Sequence, residues 1–153
     1  MANICSVNIK VKTSDESAAQ TLSEKLTDLE KEADAQHVGL FVGSQRYLFD
    51  ATIENCGNAV MIDGWVKWGF SDDEVIAFIK FLRKIAPVAE CYIKYEEGGC
   101  LLYGEFQYDG TMLADCYLPE EDYPKDNDAE DFYEVLESAY QRFQDIREIK
   151  AEF

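Results

Sequence analysis

The sequence predicts an α+β fold of the ferredoxin-like split βαβ type (βαββαβ), extended by a C-terminal β-hairpin and an acidic C-terminal helix. Over residues 3–95, the spacing of hydrophobic residues predicts a strand, a helix, two strands, a second helix and a fourth strand, in that order. Hairpin signals follow in residues 96–118, and an acidic loop and helix occupy residues 119–153. We therefore expect one domain with a single antiparallel sheet of about six strands and with helices mainly on one face.

The stretch from Met61 to Tyr95 predicts a strand, a capped helix and another strand. The first strand is predicted to be interrupted at Gly64, and the helix begins after Ser71, which stands with Glu74 in capping-box spacing. Pro87 ends the helix ahead of the next alternating run. The apolar side chains of the helix recur on one face, at Val75, Phe78, Ile79, Leu82 and Ile85.

Two earlier segments complete the predicted core. Residues 5–11 alternate between apolar and polar side chains and predict the first strand, after which Thr13 and Glu16 have the spacing of a capping box. We expect the helix that they begin to end near Gln36 to Gly39. A second strand is predicted at residues 47–54, with one face formed by Tyr47, Phe49, Ala51 and Ile53.

Turn residues predict the C-terminal extension. Glu96 to Gly99 lead to a strand at residues 101–108, and Asp109-Gly110, a dipeptide typical of tight hairpins, leads to a strand at residues 112–118. Beyond this hairpin, residues 119–153 contain 12 acidic and four basic side chains. A third helix is predicted there, with an apolar face formed by Phe132, Leu136, Ala139, Phe143 and Ile146 and with Glu130, Glu134 and Glu137 toward water.

The composition excludes several classes of protein. Hydrophobic residues make up 47% of the 153 residues, which excludes a disordered chain, although 31 acidic and 14 basic side chains give a formal net charge of −17. This charge repels nucleic acid and anionic membranes and attracts basic proteins. Neither a signal peptide nor a membrane-spanning apolar run is visible. Four of the five cysteines alternate with apolar neighbours, so we expect buried thiols in a reducing bacterial cytoplasm.

The sequence offers little support for catalysis or for a cofactor. His37 is the only histidine, and no glycine-rich phosphate loop is present. Asp126 to Glu130, with Glu137, imitate the ligand spacing of a calcium loop, but Asp131 stands where that loop requires glycine. We therefore expect no enzyme activity, no cofactor and no metal. Because no basic patch accompanies them, four strand aromatics are expected to be core or interface residues rather than RNA-stacking rings: Tyr92, Tyr103, Phe106 and Tyr108.

Three short motifs carry a resemblance to a known family: Asn3-Ile4-Cys5-Ser6 in the first strand, Trp65-Val66-Lys67-Trp68 ahead of a helix, and Tyr95-Glu96 followed by Gly98 and Gly104. Together they resemble the YubB-like ferredoxin-domain proteins over about residues 3–118. The chain departs from that family at Ile4, where tryptophan is usual. The resemblance implies a ferredoxin-like fold and a habitat on plasmids and phages, and it implies no catalytic residues.

The concentration of acidic residues leads to a functional hypothesis. A surface with this charge could imitate DNA and occupy the nucleic-acid groove of a basic protein. The candidate partner-binding residues are Glu120, Glu121, Asp122, Asp126, Asp128, Glu130, Asp131, Glu134, Glu137, Tyr123 and Tyr133, with Phe132 as a further aromatic candidate. For a mobile element, the expected targets are host defence complexes, which would make the protein an anti-CRISPR or anti-restriction inhibitor. We expect no direct nucleic-acid or membrane partner.

Two alternatives remain open at the level of the sequence. An immunity protein that neutralises a basic nuclease toxin would use the same electrostatics. An acidic structural protein, as a homodimer or larger oligomer without a charge-specific partner, would instead bind through exposed aromatic side chains and be insensitive to salt.

Overall fold

The computed structural model describes residues 3–41, 47–125 and 130–153. The helices are α1 (Glu16–Ala35), α2 (Asp72–Ile85) and α3 (Phe132–Phe143). The strands are β1 (Ile4–Thr13), β2 (Leu40–Phe41), β3 (Tyr47–Cys56), β4 (Ala59–Lys67), β5 (Val88–Glu97), β6 (Leu102–Tyr108), β7 (Leu113–Tyr117) and β8 (Asp145–Ile149). Short 3₁₀ turns occupy Gly98–Cys100 and Glu120–Asp122.

The strands form a single antiparallel sheet, which confirms the predicted α+β class. Their order is β2-β3-β4-β1-β5-β6-β7-β8. Seven of these strands have five to ten residues, and β2 has two. The described residues thus contain more strands than the six expected, because β2 and β8 lengthen the sheet at its two edges.

The main hydrophobic core lies between one face of the sheet and helices α1 and α2. Side chains at odd positions of β1, from Cys5 to Val11, point into this core and are at most 4% exposed, whereas the even positions face the other way. Leu22 and Leu26 of α1 and Phe78 and Leu82 of α2 are fully buried against them. This period of two along the strand and the one-sided helical stripes are the sequence features that predicted the core.

The start of α2 is as predicted, and the start of α1 is not. Ser71 and Glu74 form a capping box in which each side chain accepts a hydrogen bond from the other residue's backbone N–H. At α1 the N-cap is Asp15, whose carboxylate accepts from the Ala18 N–H. The Thr13–Glu16 box is therefore wrong, because Thr13 belongs to β1 and its hydroxyl donates to the Asp15 and Asn58 carbonyls.

A β-bulge changes which face of β3 is buried. Pairing with β4 shifts register between Phe49 and Thr52, and Asp50 adopts a positive φ of 51° at that point. Leu48 is consequently in the main core with Ala51 and Ile53, while Phe49 lies on the opposite face. The predicted face of Tyr47, Phe49, Ala51 and Ile53 is wrong, because the extra residue of a bulge reverses the alternation.

The third helix is shorter than predicted. It ends at Phe143, where Gln144 takes an extended conformation, and the chain then forms the edge strand β8 against β7. Ile146 is therefore a strand residue, 72% exposed, and Phe143 is 42% exposed. The strand forms here because pairing with β7 buries the Ile149 side chain in the main core, opposite Leu113.

Candidate functional site

Helix α3 packs on the opposite face of the sheet from α1 and α2. Leu136 and Tyr140 are buried there in a second hydrophobic cluster with Tyr103 of β6 and Leu118. The Tyr140 hydroxyl donates a hydrogen bond of 3.2 Å to the Cys116 carbonyl of β7. The helix thus lies over β6 and β7, and strands β1, β4 and β5 on this face have no described helix above them.

Glu137 attaches α3 to the sheet. Its carboxylate accepts hydrogen bonds from the Tyr103 hydroxyl and the Gln141 amide, and it pairs with the Lys94 ammonium of β5 at 3.4 Å. The hydrogen bond from Tyr103 is the main cause of a lowered pKa at Glu137. The sequence placed this side chain toward water with Glu130 and Glu134, whereas the structure turns it toward the sheet.

A cleft of about 530 Å³ opens where α3 meets the uncovered part of the sheet. Its floor is formed by β1, β4 and β5, and one wall is formed by α3. Tyr133, 69% exposed, lies on the helical wall. The polar side chains that line the cleft on the sheet side are Asn8, Asp63, Lys94 and Glu96. A volume of this size is within the range of pockets that bind small molecules or side chains.

The cleft is acidic. Asp63, Glu96 and Glu137 line it against a single basic group, Lys94, whose ammonium is already held by Glu137 and lies 5.5 Å from the centre of the Tyr103 ring. Glu96 is half-buried, and this burial, with the nearby charge of Glu97, raises the pKa of its carboxyl. Asp63 accepts a hydrogen bond from the Asn8 amide. Within the described residues, neither Asp63 nor Glu96 forms an ion pair.

Five of the acidic residues singled out from the sequence form an exposed set that we call the acidic rim: Glu120, Glu121, Glu130, Asp131 and Glu134. They lie in the 3₁₀ turn after β7 and around the start of α3, and none of them makes an ion pair within the described part of the chain. Asp122 is half-buried in the same turn. Asp126 and Asp128 lie outside the described residues.

The aromatic candidates separate into two groups. Tyr133 is exposed on the cleft wall, and its ring meets the Phe132 ring edge-on at 5.7 Å between centroids. Tyr123 is 5% exposed and packs in the second cluster, where burial raises the pKa of its hydroxyl to about 12. Tyr123 is therefore a core residue that offers no ring to a partner, and Phe132 is half-buried beside it.

Sequence reasoning missed Asp63, Lys94 and Glu96 as parts of a site. A signal for their orientation exists, because the strand period places these side chains on the face opposite the core residues Ile62, Ile93 and Tyr95. That this face forms a cleft follows only from the position of α3, which depends on contacts between distant parts of the chain, with hydrogen bonds between residues 24, 34 and 43 apart. Tyr103, Phe106 and Tyr108 are buried, in agreement with a core role.

A second polar cluster joins the edge strand to α2 on the other face. Arg147 of β8 donates two hydrogen bonds, of 2.6 and 2.8 Å, to the Asp72 carboxylate in the first turn of α2. It also donates one of 3.3 Å to Asp115, which accepts another of 2.7 Å from the Tyr95 hydroxyl. Burial raises the pKa of Asp115, and the bonds from Arg147 lower the pKa of Asp72.

Two further findings concern the described residues as a whole. No group of three or more His, Cys, Asp or Glu side chains among them is arranged to hold a metal ion. None of the helices in the described ranges is both long enough and apolar enough to cross a membrane.

Comparisons of the chain with protein-family models, with curated proteins and with solved structures find no match. The geometry of the cleft and of the acidic rim is therefore the basis of the proposals that follow.

Proposed function

We propose that this protein is a non-enzymatic acidic binding protein that docks on the positively charged, nucleic-acid-binding surface of another protein. The observation that carries the proposal is the acidic rim of five exposed carboxylates, which have no ion-pair partner in the described part of the chain. Unpaired surface charge of one sign steers association with the opposite sign. A basic nucleic-acid groove is the surface that most requires such charge from its ligand.

The proposed target is a host defence complex, and the protein would act as a DNA mimic in an anti-CRISPR or anti-restriction role. The support is the net charge of −17 together with the resemblance of residues 3–118 to proteins of plasmids and phages. We propose that the protein works in the bacterial cytoplasm, in keeping with that habitat and with the absence of a disulfide among the described cysteines. The rim is an irregular cluster from a turn and a helix start rather than a row along one helical face, so we propose mimicry of charge density rather than of exact phosphate spacing.

We also propose that the core belongs to the ferredoxin-like arrangement. The support is the order β3-β4-β1-β5 in the middle of the sheet, with α1 and α2 packed on one face. Strands β6, β7 and β8 on one side and β2 on the other would then be additions to that core.

Affinity capture from nuclease-treated host lysate tests the binding proposal. The test variant neutralises the rim by Glu120→Gln, Glu121→Gln, Glu130→Gln, Asp131→Asn and Glu134→Gln. The control variant makes the same change in charge on exposed acids of α1 and β3, by Glu24→Gln, Asp28→Asn, Glu32→Gln, Asp34→Asn and Glu54→Gln.

We expect the wild type and the control to retain a basic, nucleic-acid-handling complex and the rim variant to lose it. Equal retention by all three proteins would contradict the proposal, because the contact would then depend neither on the rim nor on its charge. Capture of a single nuclease toxin in place of a defence complex would support the immunity-protein alternative.

A further inference from the structure

The cleft beside α3 already holds one cation, the Lys94 ammonium, and this contact shows what kind of group its walls accept. The Lys94 ammonium lies between the Glu137 carboxylate, at 3.4 Å, and the face of the Tyr103 ring, 5.5 Å from its centre. A carboxylate and an aromatic face together form a favourable environment for a positive charge. The Glu137 carboxylate and the Tyr103 ring therefore already have a cationic partner, Lys94, within the protein.

Next to this pair, on the same helical wall and sheet floor, the cleft has a second ring and two further carboxylates. Tyr133 supplies an exposed ring, and Asp63 and Glu96 supply carboxylates that make no ion pair within the described residues. The register places Asp63 opposite Asn8 and Glu96 opposite Ser6, so the two carboxylates flank β1 on neighbouring rows of the sheet. They stand on rigid strands, which keeps their positions fixed before a ligand arrives.

We propose that this cleft is a receptor for an arginine side chain of the basic partner, with the guanidinium between the Tyr133 ring and the carboxylates of Asp63 and Glu96. Arginine fits better than lysine because its flat guanidinium stacks on an aromatic ring and donates up to five hydrogen bonds, whereas an ammonium is compact and more strongly hydrated. The cleft volume of about 530 Å³ is ample for one such side chain.

The electrostatic state of Glu96 agrees with this assignment. Burial and the neighbouring Glu97 raise the pKa of its carboxyl, and the charge of Lys94 offsets part of this rise. The guanidinium of a partner would compensate the charge of the Glu96 carboxylate. An ion pair with Glu96 should therefore contribute more binding free energy than one with a fully hydrated carboxylate of the acidic rim. Because the occupant is a side chain of the partner proposed above, this site rests on the proposed function and names the group that the partner must present.

The test uses blocked hexaarginine and hexalysine peptides as probes of the intact protein at physiological ionic strength. Binding is followed by the ¹⁵N–¹H resonances of the protein, of which Asn8 and Gly64 report the cleft floor. The cleft variants are Glu96→Gln and Asp63→Asn, with Tyr133→Ser for the ring. The matched control is Glu54→Gln, which removes one negative charge from an exposed position of the same sheet, outside both the cleft and the acidic rim.

We expect hexaarginine to bind at least about fivefold more tightly than hexalysine, with the largest shifts at the cleft floor. Glu96→Gln should weaken hexaarginine binding by about fivefold or more, and Glu54→Gln by less than about twofold. Equal binding of the two peptides, or equal effects of Glu96→Gln and Glu54→Gln with native spectra for both, would overturn the arginine site. The Asp63→Asn and Tyr133→Ser variants decide the question if Glu96→Gln does not fold.

The two proposals fail in different ways. If the peptides show no preference for the cleft while rim-dependent capture from lysate persists, the acidic binding function stands and the arginine site falls. If hexaarginine binds in the cleft while no basic nucleic-acid-handling partner depends on the rim, the proposed function falls and the side-chain specificity of the cleft stands.

Discussion

At the scale of single residues, Gly104 is a position where backbone packing admits no side chain. The hydroxyl of Tyr95 crosses directly over this glycine to reach Asp115 on the next strand but one. A Cβ at position 104 would lie 2.6 Å from that hydroxyl and 2.5 Å from the Cys116 carbonyl oxygen. The glycine therefore makes possible the buried hydrogen bond from which the polar cluster of Asp115 and Arg147 is built.

We predict that Gly104→Ala lowers the free energy of unfolding by about 1–3 kcal/mol, because the added methyl forces apart a close-packed pair of strands. The measurement is urea unfolding followed by circular dichroism. Gly98→Ala is the matched control, since nothing lies within 4 Å of a Cβ there and its φ is not positive. A Gly104→Ala protein as stable as the Gly98→Ala protein would show that the strands can separate without cost.

At the scale of elements, β8 is held in place by ion pairs of its side chains as well as by pairing with β7. Its side chains are exposed except for Ile149, so apolar burial contributes little to its attachment. Arg147 links it to the first turn of α2 through Asp72 and to β7 through Asp115. The carboxylate of Asp115 is buried, and removal of its cationic partner would leave that charge uncompensated.

We predict that Arg147→Met destabilises the fold at neutral pH by about 1–3 kcal/mol. The effect should shrink as the pH falls. The contribution of Asp72, whose pKa is lowered in the folded state, is present above the ordinary value of 3.8 and is lost as the pH falls below it. Asp115 has a raised pKa, so its protonation on acidification removes the penalty of a buried charge.

The measurement is the urea midpoint of wild type and Arg147→Met across the acid range. Arg142→Met is the control, because Arg142 makes no ion pair within the described residues and contacts the Phe143 ring. A difference between wild type and Arg147→Met that stays constant down to pH 3 would contradict the electrostatic account of β8.

The elements differ in how far the sequence could predict them. The helix α2 was predictable because a capping box, an apolar stripe and a closing proline agree within 17 residues, from Ser71 to Pro87. The strand β8 was not, since Phe143 and Ile146 have helical spacing and the burial of Ile149 depends on its pairing with Leu113. The cleft was missed for a related reason: the period of two orients Asp63 and Glu96, but only a tertiary contact places α3 beside them as a wall of the cleft.

At the scale of the whole molecule, the described residues form two hydrophobic cores on opposite faces of one sheet. The main core joins α1 and α2 to the sheet, and the second cluster joins α3 to β6 and the segment that follows β7. The second cluster is small, with five buried members among the residues that the structure describes. The wall that completes the cleft is therefore attached less extensively than the rest of the molecule.

We predict that Leu136→Ala, which removes a fully buried side chain from the second cluster, loosens α3 without unfolding the main core. The local loss should be about 2–5 kcal/mol. Hydrogen exchange measures it, with faster exchange expected at the amides of α3 and little change in β1. Leu82→Ala, in the main core, should accelerate exchange in both places. Equal acceleration in α3 and β1 by Leu136→Ala would show that the two cores unfold as one.

The measurement that tests the central claim most directly is competition between this protein and nucleic acid for the captured partner. Labelled duplex DNA is first bound to the purified partner, which is loaded with its guide RNA if it uses one. This protein is then added, and fluorescence anisotropy reports the fraction of DNA that stays bound. A charge mimic should displace the nucleic acid, the displacement should weaken as salt rises, and the rim variant should fail to displace it. A stable ternary complex of partner, nucleic acid and this protein would contradict the account.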